Sequence, residues 1–394
     1  MPFVKETVEM KREEFVKAAE GRKKTISALC REYGISRPTG YLWIERYRNG
    51  EGYRDRSKAP FKTANKTREG MEKKIVEARL KEPAIGAVKI RQMLKNSGET
   101  GLPCASTINA ILKRNELITR ESSQAATPYK RFEKPKPNIM WQCDFKGHYA
   151  LRDGARCHPL SIIDDHSRYC LCADAKADEQ YQGVAESFAR CFDEYGLPDM
   201  LLCDNGHPWG TSRATGVTKF EVQLMEHGIL PIHIRAMHPQ TQGKVEKFNG
   251  SFKAERLEYY TPADIAEADR QRQEYRQFYN EVRPHHALQL DTPAMRYTPS
   301  SRKYTTNIED WDYGMECEKR IIKSTGYLTY GGRTYFLSEA YGRKTIAIKP
   351  SSIDGYVNLY FRQFKIGRLD LREHCIVSRK IYLSEGDPRA EPNL

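Results

Sequence analysis

The sequence predicts a multidomain protein: N-terminal all-α helix-turn-helix modules, a central α/β domain on a mixed five-stranded sheet, and a small C-terminal β-barrel. Three observations predict it. Apolar residues recur with helical spacing through the first 118 residues, and after residue 138 the pattern changes to strand runs alternating with helices. A stretch rich in Pro, Lys and Arg, residues 119–138, separates the two regimes and has neither period. From Glu318 onward, short strand-like runs are punctuated by glycines at 326, 331, 332, 342, 355 and 367.

The charge follows the same divisions. The 394 residues carry a formal net charge of +13. Residues 1–137 hold 31 Lys and Arg against 17 Asp and Glu, a net of +14. Residues 138–260 hold 13 against 17, a net of −4, and residues 261–394 hold 21 against 18, a net of +3. A basic arm ahead of an acid-bearing core suits a protein that grips phosphates with one part and gathers carboxylates in another. A basic surface that is merely solvated is the alternative that charge by itself leaves open. Residues 1–15 are polar and charged, unlike a signal peptide, and no run reaches the ~18 apolar residues of a membrane span. The expectation is a soluble, cytoplasmic protein. The ten cysteines form no Cys-x-x-Cys pair, which argues against a structural zinc site. Cys143, Cys170, Cys172, Cys191 and Cys203 fall in apolar segments and read as small buried thiols.

The first module spans residues 1–50. Ile26, Leu29 and Cys30 have helical spacing, Gly34 breaks it, and Ser36 with Pro38 opens a helix carrying Tyr41, Leu42, Ile44 and Tyr47. Two helices joined by a glycine turn predict a helix-turn-helix, with Arg37, Thr39 and Tyr41 facing DNA from the start of the second helix. An ordinary helical hairpin is the plainer alternative. A second module, residues 66–118, has helices at about 69–81, 86–97 and 105–116. Ile75, Val76 and Leu80 form one apolar stripe, Ile90, Met93 and Leu94 another, and Ser106 is a suitable N-cap for the third helix. Two basic modules in series can grip a longer DNA site than one. Lys130 and Arg131 in the linker are candidate DNA contacts.

The central domain spans residues 139–285. Strand patterns cover 140–151, 159–164 and 169–175, with a turn at Asp153-Gly154. An amphipathic helix at 178–195 follows, then a buried strand, Met200–Cys203, ending at Asp204. A helix at 218–227, a strand at 230–234 and long helices at 243–259 and 264–280 complete the pattern. Residues 281–299 read as coil, and the C-terminal barrel is expected over 318–385.

Three acids in this domain occupy places that metal-dependent phosphodiester chemistry uses. Such chemistry needs a few carboxylates converging from different elements, because Mg²⁺ prefers oxygen ligands. Asp144 lies within the first strand, in Trp141-Gln142-Cys143-Asp144-Phe145, where an acid among apolar neighbours is costly unless something pairs with it. Asp204 ends a strand, and Glu246 sits on the first turn of a helix, where carboxylates are favoured. Each has a plainer reading: Asp204-Asn205-Gly206 is also a turn, and Glu246 an ordinary first-turn acid. Asp164 and Asp165 are rival ligands that read better as a hairpin turn, and spacing does not exclude them. Lys244, Lys247, Asn249 and Lys253, on or near the Glu246 helix, are candidate DNA contacts, against a solvated helix face as the alternative.

The segment from Asn138 to about Tyr260 resembles the integrase-type catalytic core of bacterial insertion-sequence transposases, which share the ribonuclease H-like fold with retroviral integrases. The resemblance is carried by Trp141-Gln142-Cys143-Asp144, by Ile162-Ile163-Asp164-Asp165-His166-Ser167-Arg168, and by Cys203-Asp204-Asn205-Gly206. Its longest stretch is His238-Pro239-Gln240-Thr241-Gln242-Gly243-Lys244-Val245-Glu246-Lys247-Phe248-Asn249. Arg283-Pro284-His285-His286-Ala287-Leu288 and Thr292-Pro293-Ala294 are similar to the segment that follows the core in these transposases.

The resemblance implies a DDE transposase, a polynucleotidyl transferase. Asp144, Asp204 and Glu246 would bind two divalent ions per site, Mg²⁺ or Mn²⁺. It implies double-stranded DNA partners, the element's terminal inverted repeats and target DNA, and an assembly of at least two copies. It implies a bacterial, nucleoid-associated setting. The 41 residues between Asp204 and Glu246 exceed the commoner spacing in the family, and the excess falls in Gly206–Thr218 with Trp209 and Arg213. The zinc-binding domain of retroviral integrases has no counterpart. A DNA-binding regulator that has lost the chemistry is the alternative, and it would have no need of all three acids.

Overall fold

A computed structural model describes residues 7–56, 67–118 and 133–384, except 146, 205, 207–208, 210–215, 234–242, 316 and 379, together with residue 387. The linker residues Lys130 and Arg131 therefore lie outside the described residues, as do Arg213 and His238. The chain divides into two compact units, residues 1–66 and 67–394.

In the first unit, α1 (Val8–Glu20), α2 (Ile26–Glu32) and α3 (Arg37–Arg48) pack around Phe15, Val16, Leu29, Cys30, Trp43 and Ile44. Thr25 and Ser36 cap α2 and α3 by accepting from the backbone N–H three residues on. Gly34 takes a left-handed conformation in the turn between them. Gly40 lets α3 approach its neighbours, because a Cβ there would meet Cys30 Sγ at 2.6 Å and Phe15 Cζ at 2.9 Å. A short turn and two crossing helices thus follow from one left-handed glycine and one small residue at the contact.

The second unit begins with α4 (Glu69–Lys81), α5 (Ala87–Asn96) and α6 (Ala105–Arg114), closed around Ile75, Ile85, Ile90, Ile108, Ile111 and Leu112. The third helix starts two residues earlier than a Ser106 cap would allow. Its N-cap is Cys104, which makes no capping hydrogen bond, and Ser106 lies inside the helix.

The central sheet comprises β1 (Met140–Phe145), β2 (Tyr149–Ala150), β3 (Arg156–Asp164), β4 (Cys170–Lys176), β5 (Met200–Cys203) and β6 (Leu230–His233). β3 runs antiparallel to both β1 and β4, whereas β1, β5 and β6 are parallel, so the sheet is mixed. It has six strands rather than five. β2 accounts for the difference: Phe145 faces Leu160 and Tyr149 faces Cys157, so four steps on one side match three on the other. β2 thus continues the pairing of β1 with β3 one residue out of its register.

Helices α7 (Tyr181–Tyr195) and α8 (Lys219–Glu226) cover one face, packing on Trp141, Cys143, Leu160, Ile162, Leu201 and Cys203. The opposite face carries α9 (Gly243–Phe252) and α10 (Ile265–Gln277), on Ile163, Cys170 and Ala173. Both helices end in a π-helical turn, at Lys253–Leu257 and Phe278–Val282, which helical periodicity by itself did not reveal. The edge of β4 away from β3 is covered in part by Asn280, whose amide accepts from Cys170 N–H at 2.8 Å and donates to its carbonyl at 2.9 Å.

The C-terminal strands are β7 (Glu318–Ile321), β8 (Tyr327–Tyr330), β9 (Arg333–Phe336), β10 (Thr345–Pro350), β11 (Tyr356–Phe361), β12 (Phe364–Asp370), β13 (Cys375–Ser378) and β14 (Tyr382–Leu383). The expected barrel is corrected here. Among the described residues six of these strands form an antiparallel sheet with β13 and β7 at opposite ends, and β8–β9 is a separate hairpin. The sheet need not close on itself because its apolar side chains are buried elsewhere: Ile346, Ile348, Leu359, Phe364 and Leu369 share one core with Met200, Leu202, Val222 and Met225 of the central domain.

Candidate active site

The sheet register brings two of the three candidate acids together. β1 and β5 pair Met140 with Met200, Trp141 with Leu201 and Gln142 with Leu202. Carried one residue further, the register sets Cys143 beside Cys203, and their sulfurs lie 3.1 Å apart. The residues that follow are Asp144, still within β1, and Asp204, just past the end of β5. Side chains alternate along a strand, so both acids emerge on the face opposite the cysteines, the face that carries α9. Both aspartates are partly exposed. Both also act electrostatically on both cysteines and, behind burial itself, help to raise the thiol pKa values.

Glu246 lies on the first turn of α9, which packs on β1 and β3. Val245, Phe248 and Phe252 bury one side of that helix and leave Glu246 and Lys247 exposed. Asn249, one turn on from Glu246, accepts a 2.7 Å hydrogen bond from Ser161 Oγ, and Ser161 is the cross-strand partner of Asp144. Arg272 of α10 donates to the same Ser161 Oγ at 2.8 Å. Asn249 Nδ2 is buried without a partner among the described residues, a donor left over in the row beside Asp144.

The three acids offer carboxylate oxygens, the donor type that hard divalent cations prefer. As the side chains stand, no group of three His, Cys, Asp or Glu among the described residues is drawn tightly enough to hold an ion.

Asp164 and Asp165 serve a different purpose. Both are fully buried. Asp164 accepts from Asn138 N–H at 2.7 Å and from Ser167 N–H and Oγ at 2.7 and 2.6 Å. Burial still dominates and pushes its pKa up. Asp165 accepts from Lys134 N–H and Gln142 Nε2, each at 2.7 Å, and from Lys244 Nζ. These carboxylates tie the chain entering β1, the β3–β4 turn and α9 into one block.

Two of the expected DNA contacts, Lys244 and Asn249, are engaged within the protein. The Lys244 ammonium meets buried Asp165, and burial pushes its pKa down to about 8 against the pull of that carboxylate. Asn249 is 4% exposed and bonded to Ser161. Both anchor α9 to the sheet instead of facing solvent. Lys247 and Lys253 remain exposed. In the first unit Tyr41 is 56% exposed, Arg37 is exposed with its guanidinium 2.6 Å from Ser27 Oγ, and Thr39 is half-buried, 2.8 Å from Ser36 Oγ.

Further residues take roles here, and of these only Trp209 stands out in the sequence. His233 at the end of β6 bonds the Asp204 carbonyl through Nδ1 at 2.9 Å and the Glu221 carboxylate through Nε2 at 2.8 Å. Both partners only accept, so both ring nitrogens carry protons when both bonds are made. Burial opposes that charge most, but Glu221 and Asp204 outweigh it and raise the pKa above the ordinary imidazole value. Glu221 also caps α8 through Thr218 N–H at 2.7 Å. This chain of contacts holds the backbone of Asp204. Trp209, five residues after Asp204, is 1% exposed and packs on Phe145, Phe188 and Phe220. An isolated tryptophan amid polar residues was the sequence signal for a buried anchor there.

The integrase core domain family matches this chain over residues 134–239 and again over 227–293, so the two matches together run from β1 through α10. The central domain is an integrase core. A helix-turn-helix domain matches residues 11–61, and the C-terminal domain of IS481 family transposases matches residues 318–377. The uncharacterized 39.2 kDa protein of insertion element IS476 from Xanthomonas euvesicatoria is 30% identical over 195 residues, 48% of this chain and 53% of that protein. The uncharacterized 31.7 kDa protein of insertion element IS407 from Burkholderia multivorans is 32% identical over 160 residues, 40% of this chain and 54% of that protein. The chain thus spans about half the length of these curated relatives. The catalytic core domain of HTLV-2 integrase, solved in complex with magnesium, aligns with 42% of this chain and 99% of its own length, at 18% identity and a TM-score of 0.33. The resemblance of the sequence to insertion-sequence transposases with an integrase-type core is borne out. Among the described residues no helix of the integrase-core chain is long and apolar enough to cross a membrane.

Proposed function

We propose that this chain is the transposase of a bacterial insertion element, cutting DNA at the element's ends and joining the freed 3′-hydroxyls to target DNA. The observation that supports the reading is the parallel pairing of β1 with β5, with Cys143 and Cys203 in contact one residue before Asp144 and Asp204, on a sheet packed by the Glu246 helix. Asp144, Asp204 and Glu246 are the residues that would hold divalent metal, two ions of Mg²⁺ or Mn²⁺. When bound, such ions activate an attacking oxygen and stabilise a leaving one. The HTLV-2 core is known in complex with magnesium, in keeping with this assignment.

The chain's own residues supply placement. Asn249 and Arg272 hold Ser161 beside Asp144, and Glu221 and His233 hold the Asp204 backbone. Lys247 and Lys253 present charge to the DNA backbone near Glu246. Arg37, Thr39 and Tyr41 of α3, with Lys130 and Arg131 of the linker, complete the DNA contacts. The helix-turn-helix modules bind the terminal inverted repeats, and the reaction on two ends requires at least a dimer. The protein would reside on the nucleoid.

The test uses the full chain, Mg²⁺ or Mn²⁺, and a plasmid carrying the element's terminal sequences. Wild type is expected to produce cut ends and joined products. Asp204→Ala is expected to lose both while still binding the ends. Full joining activity in that variant removes the central claim.

A further inference from the structure

A cavity of about 580 Å³ opens between the second helical module and the segment that follows α10. Gly86, Lys89, Ser106, Asn109 and His286 line it. The module and the core meet here as one body. Arg256, just beyond α9, pairs with Glu82 of the module at 2.9 Å, and its guanidinium lies 5.0 Å over the Phe278 ring. Phe278 in turn packs into the module's own apolar cluster.

The charges around the cavity do not balance. Among the described residues Lys89 has no carboxylate partner. Glu255, the acid that acts on it, is already gripped by Arg283 through bonds of 2.6–3.0 Å. Arg283 itself and Lys247 of α9 add positive charge, and together with burial, the largest cause, they push the Lys89 pKa down to about 8. Lys89 and Arg283 act on His286 in the same direction, behind burial. With His286 neutral, two positive charges remain in excess over Glu255. Ser106 and Asn109 add neutral donors. The first turns of α5 and α6, neither with a side-chain cap, also open here. A half-buried, unpaired ammonium with neutral donors around it is arranged for an anion, and Lys247 directly follows Glu246.

We propose that this cavity seats a DNA backbone phosphate, so that the second helical module and the integrase core grip duplex DNA as one rigid surface instead of two tethered ones. The inference rests on the reading of the chain as a DNA-processing enzyme. A phosphate held by Lys89 stands in a fixed relation to α9, because the Glu82–Arg256 pair and Phe278 fix the module on the core. DNA gripped here is thereby registered against the Glu246 helix without a contribution from the linker.

The experiment measures binding of the full chain to a labelled 30-base-pair duplex of arbitrary sequence across a salt series, alongside thermal melting. Lys89→Met keeps the stem and removes the charge. One lost phosphate contact changes the slope of log affinity against log salt by about 0.9, which is roughly fivefold in affinity at 0.15 M salt and about fifteenfold at 0.05 M. The melting temperature without DNA is expected to hold or rise, since a cation beside Arg283 is gone. A residue with only a structural role would lower both affinity and melting temperature and leave the slope alone. That result overturns the proposal, as does unchanged affinity and slope in the variant while wild type binds. Wild type that fails to bind any duplex overturns the transposase reading as well.

Discussion

The Arg283–Glu255 pair decides whether the Glu246 helix stays in place. Glu255 lies in the π turn that ends α9, and Arg283 follows α10, so the pair ties the two helices together. Each side chain is 7% exposed. Arg283 donates from Nε and Nη2 to both Glu255 oxygens at 2.6–3.0 Å, and burial opposes its charge while the Glu255 bond outweighs that and raises its pKa. Arg283→Met would leave the Glu255 carboxylate with the Tyr275 hydroxyl, 3.0 Å away, as its remaining side-chain donor among the described residues. Stranding a buried charge costs about 3–5 kcal/mol. At ~2–4 °C per kcal/mol for a domain of this order, the melting temperature should fall roughly 6–20 °C. The double variant Glu255→Leu/Arg283→Met removes both charges and should recover most of the loss. The assay is thermal melting of the full chain for both single variants, the double variant and wild type. A loss below about 1 kcal/mol for Arg283→Met, or a double variant as unstable as the sum of the singles, would refute the reasoning.

Lys244→Gln should lower the melting temperature and leave the salt slope of duplex binding at the wild-type value, because that ammonium is spent on Asp165; a reduced slope would return it to the DNA surface. Gly40→Ala should destabilise the N-terminal module by about 1–3 kcal/mol in spite of the better helix propensity of alanine, because the added methyl overlaps Cys30 Sγ and Phe15; circular dichroism melting would detect it. Asp174 is the test of pH dependence. Burial works against its ionisation, but Ser187, Arg190 and Lys176 outweigh it and hold the pKa at about 2, below the ordinary 3.8. That pairing contributes about 2 kcal/mol above pH 3.8 and loses it as the pH falls through 2, so Asp174→Asn should flatten the acid side of the stability profile over that window.

The order of elements was legible in the sequence because each depends on neighbours in the chain. α4 begins and ends where its apolar stripe predicts, and β5 stops at Asp204 as the run Met200–Cys203 requires. The choice of Asp144, Asp204 and Glu246 as the acids to watch also came from local context, sharpened by the long motif around Glu246. What chain-local patterns could not contain was the pairing between distant segments. Nothing in the spacing separates Asp144 from Asp164 as a ligand; only the hydrogen bonds from Asn138 and Ser167 show that Asp164 is spent on structure. Lys244 and Lys247 stand three residues apart with similar claims on DNA, and helical phase against the sheet sends one inward to Asp165 and leaves the other outside. The barrel expectation failed for the same reason. Strand patterns announce a sheet with one apolar face, but whether that face closes on itself or packs on β5 and α8 is decided by what stands opposite, and that surface lies more than a hundred residues away in the chain. The three candidate acids could thus be proposed from the sequence alone; that the strands carrying Asp144 and leading to Asp204 lie side by side in parallel depends on a pairing that only the folded sheet determines.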